Sequence, residues 1–243
     1  MAELGRLLAE VESSDRAWEI GSPEHFVKPF GNEWSPTYWT KWGTIAYILK
    51  KLGVPRGASV LDIGCGPGWT TCFLAEAGYE ATGTDIAPGA LKFAELRAER
   101  WRVPARFQVA PMEDFDLRQS FDVVLVFDAL HHSESPERVV RAMARHLKPG
   151  GWAIFGEPSW LHYISPEAQR TTRELGWIER GIPLSRLRRW CTAAGLRNST
   201  RYYEGTGPYS GRLRGFAWQL VRLASANLWV APQASIWLAA QKP

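Results

Sequence analysis

Residues 60–69 read VLDIGCGPGW, and no other stretch of the chain limits its possible folds as strongly. Residues 60–63 are a short apolar run of the kind that makes a buried parallel strand. Glycine then recurs at positions 64, 66 and 68, and a helical pattern begins at Trp69, Thr70 and Thr71. Without a Cβ, these glycines let the backbone take positive φ and come close to a ligand. The helix behind them starts with unpaired N–H groups, where acceptor atoms of a ligand can dock. Strand, glycine turn and helix together predict a nucleotide-type cofactor at the carboxyl edge of a parallel sheet.

A glycine-rich turn is a weak sign by itself. Asp85 strengthens it, because it ends the next strand-like run, 80–84, about 20 residues further on, where a ribose-binding acid belongs. A carboxylate there can accept both hydroxyls of a ribose; the competing reading is a tight turn with a helix-capping Asp. At this point the chain resembles the class I S-adenosylmethionine-dependent methyltransferases. The resemblance rests on DIGCGPG at 62–68, on Asp85, on FDVV at 121–124 and on LKPGG at 147–151. It is strong from 57 to 158 and looser from there to the C-terminus. The glycines are spaced GxGxG, tighter than the GxGxxG of dinucleotide binding, which favours a cofactor without a pyrophosphate.

The resemblance implies a set of cofactor contacts. Gly64 and Gly66 approach the methionine part, Asp62 helps orient its amino group, and Asp85 holds the ribose. Cys65, Gly68 and Ile86 flank those positions. After the third strand, Pro111 stands where the commonest adenine-binding acid falls. Met112 then supplies an apolar wall, with Glu113 or Asp114 as the polar contact. Phe127 ends the fourth strand, whose carbonyls face the methionine amino group. Tyr38 and Trp39, on an N-terminal helix, are candidates to cover the sulfonium, or else only pack that helix onto the sheet.

Length and composition agree with one α/β domain. At 243 residues with 45% hydrophobic content, the chain suits a single globular unit with embellishments. The first residues lack a basic region followed by a long apolar core, so no signal peptide is expected. No run reaches the roughly 18 apolar residues of a membrane span. Cys65, Cys72 and Cys191 are odd in number and lie in apolar settings, which fits a reduced, cytoplasmic compartment. The net charge of +4 is mild, yet between positions 180 and 222 nine arginines face one acid, Glu204. That segment reads as a basic surface for anionic ligands, lipid headgroups or nucleic acid, or as an ordinary solvated face.

Taken in order, the chain alternates strand and helix. Residues 2–20 have helical apolar spacing, and 24–34 form a polar and aromatic loop. Ser35 and Pro36 read as an N-cap and first helical residue, opening a helix that stops at Gly53. Residues 1–55 are therefore predicted to be a helical lid, and 56–243 the cofactor-binding domain. Strands are predicted at 59–63, 79–84, 105–110, 121–127 and 151–155, with helices at 69–77, 87–100, 136–146 and 186–194. Late strands follow at 196–203 and 235–240. This alternation predicts a Rossmann-like, seven-stranded, mostly parallel sheet with helices on both faces. The resemblance implies an antiparallel last strand. Residues 158–182 are too polar for an interior element and are expected to wall the acceptor pocket. Residues 205–232 are an insertion, whose middle, 212–223, could form a basic amphipathic helix touching a membrane surface, a partner or substrate, or simply packing on the core.

Methyl transfer from a sulfonium is an in-line displacement, to which a protein contributes alignment, desolvation and, where needed, a base. His131 and His132 follow the fourth strand, and a neutral imidazole can take a proton from an acceptor hydroxyl. His132 is the favoured base; both histidines could instead hold the loop through hydrogen bonds. Glu157, at the end of the fifth strand, can face the acceptor or orient a histidine, and His162 is a rival base. Asp128, His132 and Glu157 offer carboxylate and imidazole donors, but nothing in their spacing demands a metal, and none is expected.

The reading is an S-adenosylmethionine-dependent methyltransferase for a small molecule, with O-methylation of a sugar, glycan or aromatic natural product favoured. Trp34, Trp160 and Trp177 would suit stacking on such an acceptor. A nucleic-acid or other N-methyltransferase is one rival, disfavoured because Asp128-Ala129-Leu130-His131 is not the Asn/Asp-Pro-Pro-aromatic string that holds a flipped base. A nicotinamide oxidoreductase and a non-catalytic cofactor-binding protein are the others. Either a monomer or a homodimer is compatible with the chain.

Overall fold

The computed structural model describes residues 35–203 and 235–243, together with Glu12, Pro29 and Phe30. The helix expected at 2–20, most of the 24–34 loop with Trp34, and the 205–232 insertion with its basic middle lie outside the described residues.

β1 (Ser59–Ile63) is buried along its whole length and sits in the middle of the sheet. It pairs in parallel with β2 (Glu80–Asp85) on one side and β4 (Phe121–Phe127) on the other. β3 (Arg106–Val109) extends the sheet beyond β2, and β5 (Leu147–Pro158) extends it beyond β4. β6 (Arg197–Tyr202) and β7 (Ser235–Gln241) finish it, in the order β3-β2-β1-β4-β5-β7-β6. β7 is antiparallel to both β5 and β6. This is the mostly parallel, seven-stranded arrangement expected from the strand–helix alternation.

Alternation of side chains along the central strands builds two cores. Val60, Val123, Leu125, Ile154 and Trp237 face one side. There they meet Ile45, Ile48 and Leu49 of α1 (Ser35–Lys51) and Trp69, Cys72 and Leu74 of α2 (Trp69–Glu76), together with Ala98 of α3 (Pro88–Trp101). Leu61, Ile63, Val124, Val126 and Phe155 face the other side, against Val139 and Met143 of α4 (Pro136–His146) and Leu187 and Cys191 of α6 (Leu184–Ala193). A strand with both faces covered reads as an unbroken apolar run, which is why 121–127 was legible as central. Among the described residues, no helix is long and apolar enough to cross a membrane.

Two elements differ from the sequence reading. β5 begins at Leu147, four residues before the expected 151, so the LKPGG stretch belongs to the sheet through an irregular register against Phe121 and Val123. Residues 166–175, read as a polar wall, form α5 (Pro166–Leu175). Ser165 caps it by accepting a hydrogen bond from Ala168 N at 3.0 Å, and only Ala168 is buried. A surface helix with one buried residue has no apolar stripe, so the only local signal was the Ser-Pro-Glu start.

Gly156 of β5 lies against the Trp237 ring, where an added Cβ would come within 2.4 Å of the indole. Trp237 is fully buried and stacks on Phe127 with centroids 5.6 Å apart. Gly156→Ala is therefore expected to lower unfolding free energy by about 1–3 kcal/mol through overpacking, measured by urea denaturation.

Candidate active site at the carboxyl edge of the sheet

The glycine turn leaves β1 at the centre of the carboxyl edge. Gly64 has φ +67°, and a Cβ there would stand 2.5 Å from Ala129 Cβ, so no larger residue fits beside the segment that follows β4. Gly68 has φ +72°, and its missing Cβ makes room for Ala94 and Phe107. Asp85 ties the turn down. Its Oδ2 accepts from Gly66 N at 2.8 Å and its Oδ1 from Ala87 N at 3.0 Å. Cys65 is buried beneath the turn, among Leu91 and Ala94, and burial pushes its thiol well above the usual range. Ile86 lies between Asp85 and Ala87 on the strand-to-helix connection.

Asp62 is 2% exposed and accepts a hydrogen bond from Thr71 Oγ1 at 2.7 Å. Burial pushes its carboxyl up to about 7; the Thr71 hydroxyl works against the shift and the Asp85 charge adds to it. A buried acid in this condition is set up to gain from a nearby cation. Met112 approaches the same turn, its Cε 3.7 Å from the position a Gly64 Cβ would take. Glu113 accepts from Ser133 Oγ at 2.6 Å, which links the post-β3 segment to the one after β4.

The aromatic candidates separate. Tyr38 meets Trp69, at the start of α2, with centroids 5.9 Å apart. Trp39 is 45% exposed and packs edge-on against Phe30 and Phe73. Phe127 is buried between Trp69 and Trp237, and Lys41 Nζ sits 5.4 Å from its ring centroid. Lys41 also reaches Asp128 Oδ2 at 3.4 Å. Asp128 adopts φ +54°, in the left-handed region that Asp tolerates better than most residues, and this turns the chain out of β4.

That turn leads into a short 3-10 helix, Leu130–His132, held by Glu157. Glu157 is 1% exposed. Its Oε1 accepts from Ala129 N (3.2 Å) and Leu130 N (3.0 Å), and its Oε2 from His131 N (3.2 Å). His131 Nδ1 lies 2.8 Å from the same Oε2. Of the two roles open to Glu157 in the sequence, this geometry is that of the residue that orients a histidine.

Glu179, which the sequence gave no reason to single out, joins the histidines. It lies 3.5 Å from His131 Nε2, 3.8 Å from His132 Nδ1 and 2.7 Å from His162 Nε2. It arrives on the segment before α6, 48 positions after His131, and only the fold brings it there. Burial would raise its pKa, but the His162 hydrogen bond and the imidazole charges hold it below the usual carboxylate range. His132 Nδ1 is 2.8 Å from Ile178 O; a carbonyl only accepts, so Nδ1 carries the proton and Nε2 the lone pair. Trp177 stands edge-on to that imidazole at 5.3 Å.

The two adjacent imidazoles are driven apart in acidity. Burial alone would lower His131, but the Glu157 hydrogen bond with the Glu157, Asp128 and Glu179 charges outweighs it and raises the pKa. Burial and then the His131 charge push His132 down to about 4, against Glu179. His132 is thus neutral over the ordinary working range. The expected donor set Asp128, His132 and Glu157 does not converge, since Glu157 is turned toward backbone amides; His131, His132 and Glu179 do converge. Glu157→Ala should leave three amides and an imidazole without their acceptor, costing about 3 kcal/mol or more of stability, as read from urea unfolding.

The chain is similar to known methyltransferases in sequence and in fold. Residues 61–155 match a family model described as a methyltransferase domain. The chain is 34% identical over 145 residues to a ubiquinone biosynthesis O-methyltransferase of Bordetella avium, an alignment covering 58% of this chain and 55% of the relative. It thus spans about half the length of the relatives it matches. In structure it is similar to the magnesium protoporphyrin IX methyltransferase of Synechocystis, solved with bound S-adenosylmethionine (TM-score 0.62, 15% identity, 94% of this chain and 95% of that one). It is also similar to a phosphoethanolamine N-methyltransferase of Haemonchus contortus in complex with S-adenosylmethionine (TM-score 0.60, 19% identity, 83% and 53%). Residues 61–155 are a methyltransferase domain by the family-model match, on a fold shared with S-adenosylmethionine-dependent methyltransferases.

Proposed function

We propose that this protein transfers the methyl group of S-adenosylmethionine to a hydroxyl of a flat-faced small molecule, a phenol or a sugar ring. The observation that carries this reading is the pairing of a glycine cradle and ribose-type acid with a neutral imidazole in the 3-10 helix after β4. The cradle residues fit the cofactor. Gly64 and Gly68 give the turn its positive φ, the Asp85 carboxylate that ties the turn through Gly66 N and Ala87 N would also accept the ribose hydroxyls, and the buried Asp62 would receive an ammonium group. When bound, the cofactor supplies an electrophilic methyl on a sulfonium.

The remaining work falls to the protein's own side chains. His132 Nε2, held by the Nδ1–H···O=C bond to Ile178, would accept the proton that the acceptor hydroxyl loses as its oxygen bonds to the methyl carbon and the carbon–sulfur bond breaks, leaving the sulfur neutral in S-adenosylhomocysteine. Glu157 and His131 keep the 3-10 helix in place beneath it. Trp177 lies beside the imidazole, where a flat ring can rest against it. Relatives named O-methyltransferases support oxygen over nitrogen as the acceptor atom; an acceptor of ubiquinone-precursor type and a sugar are separated by assaying catechols against glycosides.

Calorimetric titration of S-adenosylmethionine tests the cofactor half. Micromolar binding is expected, weakened at least about tenfold in Asp85→Ala, which removes a charged hydrogen-bonding group. The same titration in buffers of different ionisation enthalpy should show proton release near pH 6–7. The Asp62 carboxyl, raised by burial to about 7, is largely protonated there in the free protein and ionises when an ammonium group arrives. Absence of binding would overturn the reading.

His132→Ala is expected to reduce turnover by about 10²-fold or more while leaving cofactor affinity unchanged. An unchanged rate would remove the base from His132.

A further inference from the structure

We infer that His131, His132 and Glu179 form a binding site for a first-row transition-metal ion of the zinc class, and that an ion held there leaves His132 without a free basic nitrogen. One donor atom from each of the three residues lies within 4.8 Å of the other two. His131 has Nδ1 engaged with Glu157 and so offers Nε2, whereas His132 faces Glu179 through Nδ1, 3.8 Å from Oε1, and that nitrogen ligates an ion by giving up the Ile178 carbonyl. His131 Nε2 is 3.5 Å from Glu179 Oε2. Two ligands about 2.1 Å from one tetrahedral ion are roughly 3.4 Å apart, so this pair already stands at the separation that zinc requires. His132 has to close further, and its ring is next to that of His131, with centroids 3.9 Å apart.

The surroundings are those of a metal ligand set. A carboxylate behind a metal-bound imidazole fixes its tautomer and raises its basicity, and Glu157 stands behind His131 in that relation. Glu157 is itself fixed by three backbone amides, so His131 is presented on a rigid support. His162, 2.7 Å from Glu179 Oε2, holds the carboxylate beside His131. Two nitrogens and one carboxylate suit zinc, nickel or copper; magnesium and calcium prefer oxygen alone. The three cysteines are buried and belong to other parts of the fold, so thiolate does not contribute.

Occupancy has a chemical consequence. With Nδ1 of His132 on the metal, the one proton of the neutral ring sits on Nε2, which then has no lone pair to accept another. The metal site and the basic nitrogen are then alternative states of one residue. This consequence rests on the proposed role of His132, whereas binding rests on geometry alone.

The test uses the full chain stripped of metal by chelation, with neither cofactor nor acceptor, so that its failure is distinct from failure of the methyl-transfer reading. Zinc chloride is titrated against a competing chromogenic chelator. One equivalent is expected to bind, and Glu179→Gln and His131→Asn, each verified as folded by circular dichroism, should each weaken binding at least tenfold; magnesium chloride should not bind. No stoichiometric binding by wild type, or equal binding by both variants, would overturn the site. In parallel, diethyl pyrocarbonate modification of His132, whose side chain is 26% exposed, is followed by mass spectrometry. Zinc should slow it at least tenfold, and an unchanged rate in the zinc-loaded protein would overturn the assignment of the lone pair.

Discussion

The carboxyl edge of this sheet depends on one buried carboxylate. Placing Glu157 in the interior costs several kcal/mol of solvation, and that cost is offset only because backbone amides of Ala129, Leu130 and His131 and the His131 imidazole all point at it. The bond network does more than neutralise a charge. It closes the chain after β4 into a 3-10 helix, with Ala129 packed directly beside Gly64, and so fixes the histidines relative to the glycine turn. Asp128 takes its left-handed conformation at the start of the same turn.

From that anchor the site divides by charge. On the side of the glycine turn, burial raises Asp62 and the charge of Asp85 adds to it. On the acceptor side three imidazoles gather around Glu179, and Glu157 and Glu179 together hold His131 toward its charged form. A charged His131 repels a second proton on His132, so neighbours of the same residue type end with opposite protonation preferences. One sheet edge thereby holds both a buried acid raised in pKa and a neutral imidazole.

Much of this was legible along the chain. The apolar run 121–127, covered on both faces, read as a central strand, and 136–146 read as α4 with its bounds unchanged, because proline at the start and a regular apolar face are local signals. The GxGxG turn and Asp85 were legible because conformational freedom and a carboxylate at fixed spacing are properties of short segments. α5 was not read as a helix, since a helix with one buried residue leaves no stripe. β5 was begun too late, since glycine and proline at 149–151 look like a turn until a neighbouring strand supplies pairing.

By itself the sequence determined the order of strands and helices, the place of the glycine turn and the residue types available at its edge, all of which follow from periodicity and local backbone chemistry. Only the tertiary structure decided how those residues are used. It turned Glu157 onto backbone amides, carried Glu179 across 48 positions to His131, and hung His132 from the Ile178 carbonyl. The reason is physical: hydrogen-bond direction, burial and the field of neighbouring charges act through space, and distance along the chain carries no record of them.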